Sequence, residues 1–174
     1  MDFFRKVTVA CLALFVTFSA TAGMMLERKA VPELKLSIEI PTSMSPMSEE
    51  MAKVKYPSEN RPQVIYGDEK GKASLGITAG RNPLPADKID EFKDVMLKMM
   101  ETLKPKAEAV TVDGHKAWIL TFSVQAPDSE ILNLMLITSQ DGKAVQVAFN
   151  MTQDLVEQYQ SAAKASLLSL KFDK

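Results

Sequence analysis

The side chains that could do chemistry in this 174-residue chain are few and scattered. The one histidine, His115, follows an Asp113-Gly114 turn. As a general base it needs a nucleophile or substrate at hand, and as a metal ligand it needs companions. Nothing in the sequence supplies either, so it reads as a histidine at a hairpin edge. Ser161-Ala-Ala-Lys164 has the S-x-x-K spacing that sets a lysine one helical turn from a serine, ready to take its proton. The S-D-N and K-T-G companions of that chemistry are absent. Glu49-Glu50 and Asp90-Glu91 are adjacent pairs, and neighbours on a helix diverge instead of forming an acid–base dyad. A Gly-rich phosphate loop, H-E-x-x-H and G-x-S-x-G are also missing. The chain therefore reads as a non-enzyme with no catalytic residues, no cofactor and no resident metal.

The methionines form a second candidate set. Met44, Met47 and Met51 recur at spacings of three and four in an otherwise polar segment, and Met24 and Met25 stand near the start of the mature chain. Soft thioethers can hold Cu(I), and flexible methionines also serve adaptable contact surfaces or plain packing. Met44, Met47 and Met51 are thus candidates for partner contact, with copper binding and packing as the competing readings. Met96, Met99 and Met100 fall at helical spacing and read as ordinary core.

These residues must be positioned by a single domain preceded by an export signal. Arg5 and Lys6 precede an apolar run from Val7 to Phe18, followed by Ser19-Ala20-Thr21-Ala22. Ala20 and Ala22 fit the two small positions of a signal peptidase site. The 12-residue run is short for a membrane span, which needs about 20 apolar residues. Cys11 sits too early in it, only Val7 to Ala10 after Lys6, for a lipoprotein cysteine. Cleavage after Ala22 removes the only cysteine, so the mature protein has no disulfide and no thiolate. It also leaves 19 basic against 21 acidic residues, interspersed, with no basic stripe for nucleic acid or anionic lipid. Any membrane contact would run through an uncleaved signal. The expected organisation is a signal peptide over 1–22, a tether over 23–33 and one domain over 34–174.

Within the domain, Leu34 to Ile40 alternates as a half-buried strand ended by Pro41. Residues 42–51 read as a loop or short helical turn, and AKVKY (52–56) and QVIY (63–66) as strands around a Pro-bearing loop. Ala73 to Thr78 reads as the partner of QVIY across a Gly67–Gly71 turn. Ile89, Phe92, Met96, Met99, Met100 and Leu103 give a helix from Asp87 to Leu103, started by acidic residues and stopped by Pro105. Two Asp-Gly turns, at 113–114 and 141–142, mark hairpins. Residues 131–138 (ILNLMLIT) are apolar on both faces, as in a central strand covered on two sides. Thr152 caps a closing helix bearing Leu155, Tyr159, Ala162, Ala163 and Leu167. The predicted class is α+β: a twisted antiparallel sheet with amphipathic helices packed against it.

LSIEIP (Leu36 to Pro41), VTVDGHKAWILTF (Val110 to Phe122), VQVAFNM (Val145 to Met151) and SLLSLKF (Ser166 to Phe172), in this order, resemble the PsbP/Mog-type α/β/α sandwich family. Within it they are similar to the small exported bacterial members called DcrB-like. The resemblance spans the mature chain and implies a binding or accessory scaffold. Members serve as photosystem subunits, an import factor, envelope proteins and secretion adaptors, and no family site residue is matched here. The expected function is accordingly a non-enzymatic periplasmic accessory protein acting through an envelope protein partner. The alternative is a carrier of a small ligand, a lipid or a metal such as copper, held between sheet and helices.

Overall fold

The computed structural model describes residues 23–173. The expected signal peptide, with Ala20, Ala22 and Cys11, lies outside the described residues. Ten strands and three α-helices follow in the order β1 (Leu26–Val31), β2 (Leu36–Pro41), β3 (Ser45–Pro46), α1 (Glu49–Lys55), β4 (Val64–Gly67), β5 (Ala73–Pro83), α2 (Ile89–Met99), β6 (Lys106–Val112), β7 (His115–Gln125), β8 (Glu130–Gln140), β9 (Lys143–Thr152), α3 (Val156–Leu168) and β10 (Lys171–Phe172). Seven strands form one antiparallel sheet in the order β3-β4-β5-β9-β8-β7-β6, and β1-β2-β10 form a second. The class is α+β, as predicted.

Alternation along the strands gives the large sheet two unlike faces. On the first, Leu75, Ile77, Leu134, Leu136, Val147 and Phe149 meet Leu36, Ile38 and Ile40 of β2 and Tyr159, Ala163 and Leu167 of α3 in one core. The second face has thinner cover. Ile89 and Phe92 of α2 pack with Leu84 and Ala144 against Trp118. Asp90 Oδ1 accepts from the Trp118 indole at 2.9 Å and Asp90 Oδ2 from Lys116 at 2.5 Å, while the Lys93 ammonium lies 4.6 Å from the indole centroid. β8 runs between β7 and β9 and is covered by α3 on one face and α2 on the other, which is why residues 131–138 are apolar on both sides.

Three expectations are corrected. The tether is largely β1, whose six residues pair in full register with β2, Leu26 opposite Pro41 through Val31 opposite Leu36. As an edge strand it tolerates Glu27, Arg28 and Lys29, and Arg28 is fixed by Glu39 at 2.8 Å. AKVKY is the end of α1 and not a strand. Ser48 caps that helix by accepting from Met51 N, Glu49 and Glu50 sit in its first turn, and Lys53 pairs back to Glu49. Finally, α2 ends at Met99, a 3-10 turn follows at Glu101–Leu103, and only Ile89 of the helix is buried. Met99 is 76% exposed and so is not core.

Candidate functional site

Of the residues singled out by chemistry, none is brought into a catalytic arrangement. His115 Nδ1 donates to the Ser139 carbonyl at 3.0 Å and its ring stands edge-on to Phe172, 4.9 Å between centroids. It is half-buried and used in packing. Ser161 is exposed, and Lys164 is engaged by both carboxylate oxygens of Glu108 at 2.8 and 2.9 Å, across to β6. Among the described residues no group of three His, Cys, Asp or Glu is placed to hold a metal ion.

The three candidate methionines are each taken up by different surroundings. Met44 is 5% exposed within the main core. Met47 lays its ε-methyl on Gly67, 2.6 Å from where a Cβ would stand, so a side chain there would displace it. Met51 sets its sulfur over Gly71, 3.1 Å from the corresponding position. Met47 also lines a pocket of about 400 Å³ with Arg61 and Pro62, and Met51 reaches a larger groove.

That groove runs along the second face of the large sheet, between α1 and the turn joining β7 to β8, and encloses about 950 Å³. Clefts beside α3 enclose about 700 and 600 Å³. Met51, Val54 and Lys55 form one wall, residues 126–130 the other, and Ile131 and Thr152 line the space between. Lys70, Lys72, Asp128, Glu130 and Asp154 supply further charge of both signs. Lys72 is paired to Asp154 at 2.7 Å, which holds that carboxyl below the usual range. Thr152 Oγ1 is buried without a hydrogen bond of normal geometry, though near enough to Asp154 to favour its charge.

A seven-residue helix is too short to hold itself, so α1 is fixed by its side chains. Tyr56, the residue after it, reaches down to the sheet. Its hydroxyl lies 2.9 Å from Ser74 Oγ and donates to Asn150 Oδ1 at 3.0 Å. Ser74 donates to the same oxygen at 2.6 Å, and Asn150 Nδ2 donates to Asn133 Oδ1 at 3.2 Å. Ser74 and Asn150 are cross-strand partners, as are Asn150 and Asn133, so three adjacent strands carry one polar row. Burial pushes the Tyr56 hydroxyl pKa up. Gly76 makes room alongside, since a Cβ there would lie 2.7 Å from Pro62 Cγ.

The outcome on α1 is an inverted pattern. Val54 is 83% exposed, whereas Lys55 is half-buried and donates from Nζ to the Gly71 carbonyl at 2.5 Å. Burial pulls the Lys55 pKa from 10.5 down to about 8, with Asp68 opposing the fall. Sequence reasoning found Met51 but missed Lys55, which reads as an ordinary solvated lysine. The only local hint is its position after Val54, on a helix whose cap is legible at Ser48.

The architecture is shared with solved structures. The chain has the PsbP fold. Cyanobacterial PsbP (CyanoP) from Synechocystis sp. PCC 6803 superposes with a TM-score of 0.57 at 16% identity, over 88% of this chain and 95% of that one. LpqN of Mycobacterium tuberculosis, described as involved in cell envelope biogenesis, gives 0.52 at 14% identity over 80% and 83%. A protein from Bacteroides thetaiotaomicron gives 0.58 at 14% over 87% of this chain, which spans 49% of that longer one. No protein-family model and no curated protein sequence matches the chain.

Proposed function

We propose that the protein is a non-enzymatic accessory protein of the cell envelope that works by binding a protein partner. The observation that carries this reading is the open groove beside α1, where Val54 stands uncovered next to a half-buried ammonium. Exposed apolar surface framed by charge is the usual make-up of a binding surface. The PsbP fold and the envelope role of the LpqN neighbour support it, and the export signal read from the sequence fits a periplasmic location. The narrower likeness to DcrB-like proteins rests on the four sequence segments alone.

The carrier reading has less behind it. The centre of the contact between the large sheet and α3 is filled by Tyr159, Ala163 and Leu167, all at most 3% exposed. A ligand there has only the open cleft of about 600 Å³ at the edge, beside Ile119 and Leu168, unless the core opens. Copper would require the three methionines to leave their separate packing sites.

The test is capture of a partner by the C-terminally tagged protein, expressed from its full sequence in its host, after mild crosslinking and mass spectrometry. One dominant envelope protein, crosslinked at defined residues, is the expected result. Turnover of an envelope substrate that is lost on changing one polar residue would overturn the reading.

A further inference from the structure

We propose that the groove beside α1 binds an extended polypeptide segment that presents one carboxylate beside apolar side chains. The carboxylate pairs with Lys55, and the apolar groups lie on Met51, Val54 and Ile131. This inference rests on the protein-partner reading and names the chemistry of the partner.

Lys55 argues for the carboxylate. An ammonium has three donors and no acceptor, and its hydrogen bond here goes to a carbonyl, not to a carboxylate. Asp68 offsets part of the burial, but no carboxylate is bonded to the ammonium, and a half-buried cation so placed is a standing cost to the free protein. A ligand carboxylate removes that cost and forms a charge-assisted hydrogen bond. The neighbouring cation Lys72 is already matched by Asp154. Val54 argues for the apolar part, because it stands in the groove wall with no protein neighbour covering it.

The other charges limit what the ligand can be. Asp128, Glu130 and Asp154 line the same space as Lys55, Lys70 and Lys72. A polyanion or an anionic bilayer would meet three carboxylates, whereas a single carboxylate placed at Lys55 avoids them. The groove is open to solvent, so an acyl chain would stay partly wet, unlike a ligand in an enclosed pocket. A polypeptide can cover the groove from outside and close it.

The experiment is selection of short random peptides from a display library against the protein produced from its full sequence. A synthetic copy of a selected peptide is then measured by fluorescence anisotropy. Enriched peptides should carry Asp or Glu next to apolar residues. Changing that acid to its amide should weaken binding about tenfold or more, and Lys55→Met should do the same. The two changes together should cost no more than either alone, as expected when they break one contact. Val54→Glu, at an exposed position where the fold is indifferent, should also weaken binding. Peptides without an acid, or peptides that bind the Lys55→Met and Val54→Glu proteins as well as the parent, would overturn the proposal. So would dodecanoate binding that depends on Lys55 while no peptide binds. If a captured partner crosslinks only away from α1 and residues 126–131, this inference falls while the partner reading stands.

Discussion

Replacing Lys55 by methionine should make the protein more stable at neutral pH, and the gain should vanish in alkali. Methionine keeps the length of the side chain and discards the charge. A lysine whose pKa is about 8 in the folded state and 10.5 when unfolded penalises folding whenever it is protonated in both. At pH 7 that penalty is about 3 kcal/mol, taking about 1.4 kcal/mol for each tenfold difference in proton affinity. Loss of the hydrogen bond to Gly71 returns about 1 kcal/mol, so the expected net gain is about 1–2 kcal/mol. The sign with pH follows from proton counting. Below about pH 8 both states hold the proton and the penalty is complete. Between about 8 and 10.5 only the unfolded state holds it, so the parent gains stability as pH rises. Above 10.5 neither holds it and the charge penalty is gone. Urea unfolding of both proteins from pH 7 to 11 isolates this residue, because every other group titrates alike in the pair. A gain that does not change with pH, or a loss of stability at pH 7, would refute the account of Lys55 as a buried charge that Asp68 only partly compensates.

Tyr56→Phe should destabilise by about 1–2 kcal/mol in the same unfolding assay, since it leaves Ser74 and Asn150 short of a partner beneath α1. Gly76→Ala should cost about 1–3 kcal/mol, because the added methyl would stand 2.7 Å from Pro62 and force the 58–63 loop off the sheet. Asp90→Ala should expose Trp118, the single tryptophan, and shift its emission to the red. In the parent, the Lys116 and Trp118 hydrogen bonds hold the Asp90 carboxyl below its ordinary 3.8. The indole contact should therefore persist as pH falls past 3.8 and break below it, so an emission change centred above 3.8 would contradict the assignment.

Much of the fold is written locally. Asp113-Gly114 and Asp141-Gly142 both take positive φ, the conformation that a two-residue hairpin needs, and the strands on either side alternate cleanly. What escapes the sequence is set by distant partners. β1 has no alternation to read, because Glu27, Arg28 and Lys29 belong to an edge strand whose structure comes from pairing with β2. AKVKY alternates in steps of two and so looks extended, yet the Ser48 cap and the Glu49–Lys53 pair favour a helix, and Tyr56 anchors it. The apolar spacing of residues 89–103 predicts a longer helix face than the sheet can cover, so Met99 is left outside. The groove is the least legible feature. Its walls come from segments near residues 51–55, 70–72, 126–131 and 152–154, which only the pairing of β5, β8 and β9 brings together.

A helix serving only as cover for a sheet turns its valine inward and its lysine out. In α1 the adjacent pair Val54 and Lys55 is reversed, and the reversal is enforced. Tyr56 is bonded into the polar row of the sheet and Met51 is seated on Gly71, so the helix cannot roll to bury Val54 without breaking one of them. Both departures lower the stability of the free chain, one by leaving apolar surface in water and the other by holding charge out of it. Both face one groove, and a single ligand with an apolar group beside a carboxylate would relieve them together. Other apolar side chains, Met25 and Met99 among them, are also exposed, but at α1 the exposed valine adjoins a half-buried ammonium on a helix that the fold fixes in place.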